Sequence, residues 1–338
     1  MSWFNQFTSK DPARQGVAEQ TSLGLWKKRG AWLIALFAMM FLATHLTVRF
    51  YVWPKVEANK SSFEQVISQN LGVNLQIQSI RTGWDFLWPS FEIEKVDLYE
   101  KGSQQNSKLS IPKVSGKLSW ESLWKWQPHF HDLSFDDAVI HIQRDQQGNW
   151  NIAGIPLEQS SAGYQFGNWL FEQDSLEIKN AKILWLDQKF KTSSHQISIE
   201  SLALKNSWFK HAINLKAKTP WAKDLTEINA SFRHHVFGNA GNWQDWIGKI
   251  EWAAEEINLT SLSQLFETPI QVVSGLASTE GYLHLDNGVL DGGETKIQAN
   301  NLHIEWPRLG KPLKIANLET EVEQKTSGKK LSFSAPLL

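Results

Sequence analysis

Apolar residues follow two patterns along the chain, an unbroken run near the N-terminus and a long alternating region after it. The run covers residues 31–48, AWLIALFAMMFLATHLTV. At about 1.5 Å per residue it spans roughly 27 Å, close to the ~30 Å hydrocarbon core of a bilayer. From Val73 onward apolar and polar residues alternate, which is the period of a β-strand. The pattern therefore predicts a transmembrane helix followed by a mainly β region.

Residues on both sides of the run are typical of an uncleaved membrane anchor. Lys27, Lys28 and Arg29 precede it, and the positive-inside rule places such residues in the cytoplasm. Trp32 and Trp53 lie near its two ends, at the level of the aromatic belts of membrane helices. A cleaved signal peptide is the alternative, but the run is long for one and no convincing A-x-A site follows. The expected divisions are a cytoplasmic tail 1–29, a transmembrane helix 30–53, a juxtamembrane helix 54–72 and a β domain 73–338.

One arrangement recurs through the β region: two alternate apolar residues, a gap of two residues, then two more. One copy reads Phe91, Ile93, Val96 and Leu98. In a regular strand, residues two apart share a face and residues three apart do not. An extra residue in the gap, a β-bulge, returns the second pair to the first face and bends the strand. Bulges at one level of many strands predict a long, curved antiparallel sheet with one apolar face, shaped like a groove or taco.

A β-sandwich whose strands turn corners at the gaps is the other fold consistent with this repeat. The hydrophobic residues of five copies are the candidates for lining a groove. They are Phe91, Ile93, Val96, Leu98, Phe135, Ile140, Ile142, Ile178, Ile183, Trp185, Ile197, Ile199, Leu202, Leu204, Ile297, Leu302 and Ile304.

Turn and helix signals between the strands are short. Hairpin turns are expected at Asp286–Gly288, Asp291–Gly293 and Asp145–Asn149. Short helices are expected at Trp120–Trp126, Asn168–Gln173 and Ser261–Phe266. These helices are too few and too short for repeated βαβ units, so a parallel α/β sheet is not expected.

Composition excludes several kinds of chemistry. The 338 residues include no cysteine, which excludes disulfides, cysteine-containing zinc sites and cysteine nucleophiles. Lys and Arg number 34 against 35 Asp and Glu, and this balance argues against a nucleic-acid binder. No P-loop, G-x-S-x-G, G-x-G-x-x-G or H-E-x-x-H motif is present. We therefore expect a protein that is not an enzyme and has no cofactor.

The strongest metal-ligand candidates are His129, His131 and His141, because the first two share one face of a strand. Trp124 and Trp126 are close in sequence and favour a packing role for these histidines instead. We therefore expect no metal site.

Several segments together resemble the N-terminal part of the AsmA-like superfamily, in particular its YhdP-type branch. These are the N-terminal anchor with its following helix, SFEIEKVDLYE at 90–100, residues 109–152, SLEIKNAKILWLDQ at 175–188 and residues 248–266. The most specific element is strand 139–144 running into Arg144-Asp145-x-x-Gly148-Asn149-Trp150.

This resemblance implies a protein of the Gram-negative inner membrane, single-pass, with a cytoplasmic N-terminus and a periplasmic β-groove. The implied cargo is phospholipid moving between the inner and outer membranes, which supports outer-membrane lipid homeostasis and the barrier. Outer-membrane or periplasmic proteins are possible partners. The alternative is an assembly factor that docks outer-membrane proteins by adding their strands to a sheet edge. Full-length members of this branch are far longer, so the chain is interpreted as a fragment or a short relative, with a truncated β domain.

Overall fold

The structure, a computed structural model, divides the chain into two units, residues 1–55 and residues 56–338. The described residues are 12–71, 74–99, 107–153, 155–156, 161–189, 194–236, 238–265, 271–305, 310–327 and 330–334. The predicted truncation of the β domain falls at residues 335–338, which lie outside these ranges.

The first unit is helical. It contains α1 (Pro12–Thr47) and a π-helical turn (Val48–Val52). The stretch Lys28–Ala58 is long and apolar enough to cross a membrane. Large side chains such as Trp32 and Phe37 are exposed along it, which suits a lipid environment better than water. Lys27 lies in α1, but its side chain is outside the described residues; Lys28 and Arg29 lie in the same helix.

The second unit is one sheet with short helices. Helix α2 (Pro54–Ala58) includes the boundary between the units, and the helices within the second unit are α3 (Lys60–Leu71), α4 (Glu121–Lys125), α5 (Ser161–Glu172) and α6 (Leu259–Ser263). Its strands are β1 (Asn74–Asp85), β2 (Trp88–Tyr99), β3 (Leu109–Leu118), β4 (Phe130–Asp136), β5 (Val139–Arg144), β6 (Trp150–Ile152), β7 (Ile155–Pro156), β8 (Ser175–Asp187), β9 (His195–Ser207), β10 (Lys210–Lys218), β11 (Thr226–Arg233), β12 (Ile247–Asn258), β13 (Gln271–Asp286), β14 (Val289–Glu305), β15 (Leu313–Ser327) and β16 (Lys330–Ser334). The predicted single helix over 54–72 is instead two, because α2 ends at Ala58 and α3 begins at Lys60.

All sixteen strands belong to a single sheet, in which most neighbours in space are neighbours in sequence. The β-sandwich alternative is therefore wrong for the described residues, and the predicted curved sheet is confirmed. The sheet is not wholly antiparallel, however, because β8 runs parallel to both β4 and β5. Parallel neighbours need a crossover connection, and the segment from β6 through α5 supplies it.

The predicted bulges recur at one level in many of the strands, and we call this level the crease. Cross-strand pairing skips a residue at the crease: Lys179 pairs with Ser201, and the next pair is Ala181 with Ile199. The second residue of the apolar gap adopts a left-handed backbone in four strands and at the β4–β5 junction. These residues are Lys95, Asp137, Asn180, Glu256 and Asn301. Skipped pairs recur at the matching level in several neighbouring strand pairs, whereas β10 and β11 pair without a break. The sheet is therefore bent along the crease in its bulged strands.

Small side chains occupy the apolar side of the crease. Ala138 and Ala181 are adjacent across β4–β5 and β8 and are only 2% and 1% exposed, and Ala299 on β14 is 2% exposed. An alanine is buried so completely only where neighbours approach from several sides. We infer that the apolar face is the concave side of the bend.

The stability of the sheet is expected to depend on Asn180, an exposed residue of the crease. Replacing Asn180 by Val is expected to destabilise the unit by about 1–2 kcal/mol, although valine favours strands, because a β-branched residue is strained in the left-handed region. Urea unfolding followed by circular dichroism measures the change. Asn180→Gly is the matched control and is expected to be nearly neutral. Equal stability of the Val and Gly variants would show that the bend does not depend on this conformation.

The short elements were predicted with mixed success. Helices form at all three expected places, although α5 starts seven residues earlier than predicted. Asn287 and Gly288 form the expected two-residue hairpin turn, both with positive φ. The turn expected at Asp291–Gly293 is wrong, since these residues continue β14. The strands β13 and β14 lie so close here that a Cβ atom on residue 293 would be 2.4 Å from the carbonyl oxygen of Tyr282. Gly293 therefore serves close strand pairing and not a turn.

Candidate functional site: the apolar face

Cross-strand pairing places all seventeen groove candidates on one face of the sheet, the apolar face. Phe135 on β4 is the partner of Ile178 on β8, and Ile178 is in turn the partner of Leu202 on β9. The same registers connect the other candidates through β10 to β13 as far as β14. Directly paired residues point to the same side of a sheet. The face is therefore continuous from β1 to β15.

The candidates differ in burial along this face. Those of β2 to β9 mostly belong to the hydrophobic core clusters, in which Ile199, Leu204 and Leu98 are fully buried. Ile297 and Ile304 on β14 are half-buried and lie outside the clusters, whereas Leu302 beside them is buried. Most of the other candidates, from Phe91 on β2 onward, are half-buried as well, so partly accessible members occur along the whole apolar face.

Helix α5 covers part of the apolar face, which the periodic pattern did not predict. Trp169, Leu170 and Phe171 pack against the core cluster formed by β3, β4, β5, β8 and β9. Asn168 also accepts a hydrogen bond from the Gly241 backbone N–H at 2.6 Å, which ties α5 to the β11–β12 connection. The apolar residues near the end of α5 were a signal for this packing.

An aromatic cluster fixes the C-terminal end of α5. The ring of Phe171 lies 5.2 Å from His211, 5.4 Å from Phe232 and 5.4 Å from Trp246. Phe232 and Trp246 stack at 3.9 Å. Edge-to-face and stacked pairs at these distances are favourable beyond their buried area. The cluster closes the apolar face at the ends of β9 to β12 nearest the β9–β10 turn.

A family model described as "YhdP protein" matches residues 22–337. The chain belongs to the YhdP family. Searches of curated proteins and of solved structures gave no match. The matched range includes both the apolar helix and nearly the whole sheet, so the family assignment applies to the two units together.

A buried histidine gives this YhdP-family sheet a predicted pH response. Burial, and secondarily the neighbouring His234 ring 5.2 Å away, lowers the pKa of His211 to about 4. The unfolded chain binds this proton near pH 6.5 and the folded chain only near pH 4. Stability is therefore expected to fall by up to about 3 kcal/mol as the pH drops from 6.5 to 4, and this contribution is complete above 6.5.

Urea unfolding at several pH values tests the response. The His211→Gln variant should show a flatter profile between pH 6.5 and 4, because the titrating group is gone. A wild-type profile that matches the variant would assign the acid sensitivity to other groups.

The histidines considered for a metal do not assemble a site. Among the described residues, no group of three or more histidine and carboxylate side chains could hold a metal ion. His129 and His131 instead contact the two carboxylate oxygens of Asp174, at 3.1 and 2.9 Å. His141 lies away from them on β5, where burial, and secondarily Lys108, lowers its pKa. His131 also stacks on Trp88 at 4.8 Å, which is a packing contact.

The opposite face of the sheet carries alternating charges. Glu94 pairs with Lys113 across β2–β3, and the same row continues to Asp136 and Lys179. On β10, the Lys216 ammonium lies 2.8 Å from Glu227, and this hydrogen bond raises the pKa of Lys216. Exposed pairs of this kind contribute little stability but keep the face hydrated. The YhdP-family sheet therefore has one charged face and one apolar face.

Proposed function

We propose that this protein is an inner-membrane-anchored carrier that moves phospholipid along its apolar face between the inner and outer membranes. The N-terminus is cytoplasmic and the sheet periplasmic, so the carrier supports outer-membrane lipid homeostasis and barrier function. It acts without enzymatic chemistry, cofactor or nucleic acid. The observation that carries this proposal is a continuous apolar face with accessible members, backed by a charged face, in a chain with a membrane-spanning helix.

The mechanism is passive partitioning. An acyl chain gains about 0.8 kcal/mol for each buried CH₂, while its headgroup stays in water at an open edge. Neighbouring positions of the apolar face carry mainly apolar side chains, with threonines such as Thr279 and Thr295 among them on β13 and β14, and a lipid moves between sites of similar free energy. No covalent bond forms or breaks.

Site-specific crosslinking tests the proposal. A photoreactive amino acid at Ile297 or Ile304 of the full chain in cells is expected to give phospholipid adducts that mass spectrometry detects. Gln298 and Glu305 are matched controls, since they are exposed neighbours on the charged face. Adducts of equal yield at all four positions, or none at Ile297 and Ile304, would contradict transport along this face.

The free edge of the sheet at β1 is covered by helices, which argues against strand docking by an assembly factor at β1. Side chains of α2 and α3 occupy the free backbone groups of β1: Glu64 accepts from Ile77 N–H at 2.7 Å, and Ser68 accepts from Leu75 N–H at 3.0 Å. Lys60 donates to the Ile77 carbonyl at 2.6 Å. A covered edge cannot pair with an incoming strand. Strand docking would have to use another edge.

A further inference from the structure

Two neighbouring turns of the sheet expose a compact group of large apolar side chains, which we call the aromatic patch. It consists of Phe86 and Leu87 in the β1–β2 turn, and Leu123, Trp124 and Trp126 in and after α4. Both turns lie at the same end of the strands, because every second connection in a row of antiparallel strands is on the same side. The Trp120 indole joins them by donating to the Leu87 carbonyl at 3.2 Å.

The patch combines exposure with backbone strain. Phe86 is 83% exposed and Trp126 is 90% exposed. Both adopt left-handed backbone conformations, with φ of 54° and 53°. For bulky residues this region is unfavourable, and glycine or asparagine would normally occupy such turns. Since exposure in water and strain both oppose stability, these residues indicate a surface with a binding role.

The first residues of the sheet unit lie at the end of the strands that carries the patch. Glu57, at the start of this unit, accepts hydrogen bonds from the Thr82 backbone N–H at 2.6 Å and the Thr82 hydroxyl at 3.0 Å. Thr82 precedes Phe86 by four residues on β1. Helix α3 then runs away from this edge, since Ser68 bonds Leu75 at the opposite end of β1. The first residues of the sheet unit are therefore held at the end of the strands that carries the patch.

We propose that the aromatic patch is a membrane-contact surface, whose occupant is the bilayer that the N-terminal helix crosses. Tryptophan and phenylalanine favour the headgroup level, where the ring is buried and the indole N–H stays hydrogen-bonded. Contact with lipid removes the exposure of Phe86 and Trp126 from water. It holds the first strands of the sheet at the bilayer surface, whether or not the apolar face carries lipid.

The absence of cysteine makes a direct test practical. Trp124→Cys and Trp243→Cys variants of the full chain each give one site for an environment-sensitive fluorophore. Trp243 is also exposed at this end of the strands, but it lies in the β11–β12 connection, and β11 is the fourth strand along the row from β4. In vesicles of phosphatidylethanolamine and phosphatidylglycerol, spin-labelled lipids are expected to quench the label at 124 several-fold more than the label at 243.

Each other outcome has a definite meaning. Equal, weak quenching at both positions would overturn the proposal. A label at 124 that is shielded from water but not quenched by lipid would also overturn it, and would indicate a second copy or another protein. Strong quenching at both positions would support membrane contact. It would also place this whole end of the strands on the bilayer, and that result would contradict the transport proposal while leaving the membrane-contact proposal intact.

A second variant tests whether the strain serves binding. Phe86→Gly combined with Trp126→Gly removes both rings and both left-handed side chains. In the Trp124→Cys background it is expected to lower lipid quenching several-fold without lowering the melting temperature. A loss of thermal stability with unchanged quenching would show that the two residues only support the fold.

Discussion

Replacing Ile199 by Asp is expected to unfold the sheet unit. Ile199 is buried beside the crease, where its cross-strand partners are Ala181 on β8 and Ala217 on β10. A carboxylate there loses its hydration and finds no cationic partner in the surrounding core cluster. Such a change costs roughly 4 kcal/mol or more, a large part of the stability of an ordinary domain. Urea unfolding and near-ultraviolet circular dichroism measure the loss.

The matched variant is Ile297→Asp on the same face. Ile297 is half-buried and outside the core clusters, so we expect this variant to remain folded and to lose lipid crosslinking at Ile304. Ile199→Val, a smaller change at the buried site, should cost only about 1 kcal/mol. A folded Ile199→Asp protein with an unchanged urea midpoint would show that the crease is hydrated and is not part of the core.

Truncating Phe171 to alanine is expected to cost about 3–5 kcal/mol and to loosen α5 from the apolar face. The ring contacts three aromatic side chains from β10, β11 and the β11–β12 connection, so its removal leaves a cavity at their common centre. Urea unfolding gives the stability. Binding of an apolar fluorescent dye is expected to rise, since detachment of α5 exposes the face it covers.

Trp243→Ala is the control for this prediction, because Trp243 is exposed and should change stability by less than about 0.5 kcal/mol. Equal losses from both variants, with no rise in dye binding, would mean that α5 does not cover the face.

The bulged strands could be predicted from sequence because the cause is local. A gap of two residues between apolar pairs requires one extra residue to keep both pairs on one face. Asn180, Asn301 and Asp137 sit second in the gap, and Asn and Asp enter the left-handed region more easily than most residues. The seventeen candidates share one face for the same reason.

The crossover and the aromatic patch depend on distant parts of the chain and were not predicted. Leu133 pairs in parallel with Leu176, some forty residues away, only because α5 returns the chain to the same edge. Alternation within each strand carries no information about that return. Likewise the sequence alone does not indicate that Phe86 and Trp126 are exposed at the same end of the sheet.

The crease also fixes how such a sheet can change length. From β1 to β16 the main row holds thirteen strands, each bonded mainly to its neighbours. At about 4.8 Å per strand, this row is on the order of 60 Å long. Inserting or deleting one complete hairpin alters that distance by about 10 Å and leaves the cross-section unchanged. The length and the cross-section of the sheet are thus separate properties, so the number of hairpins sets the first without changing the second.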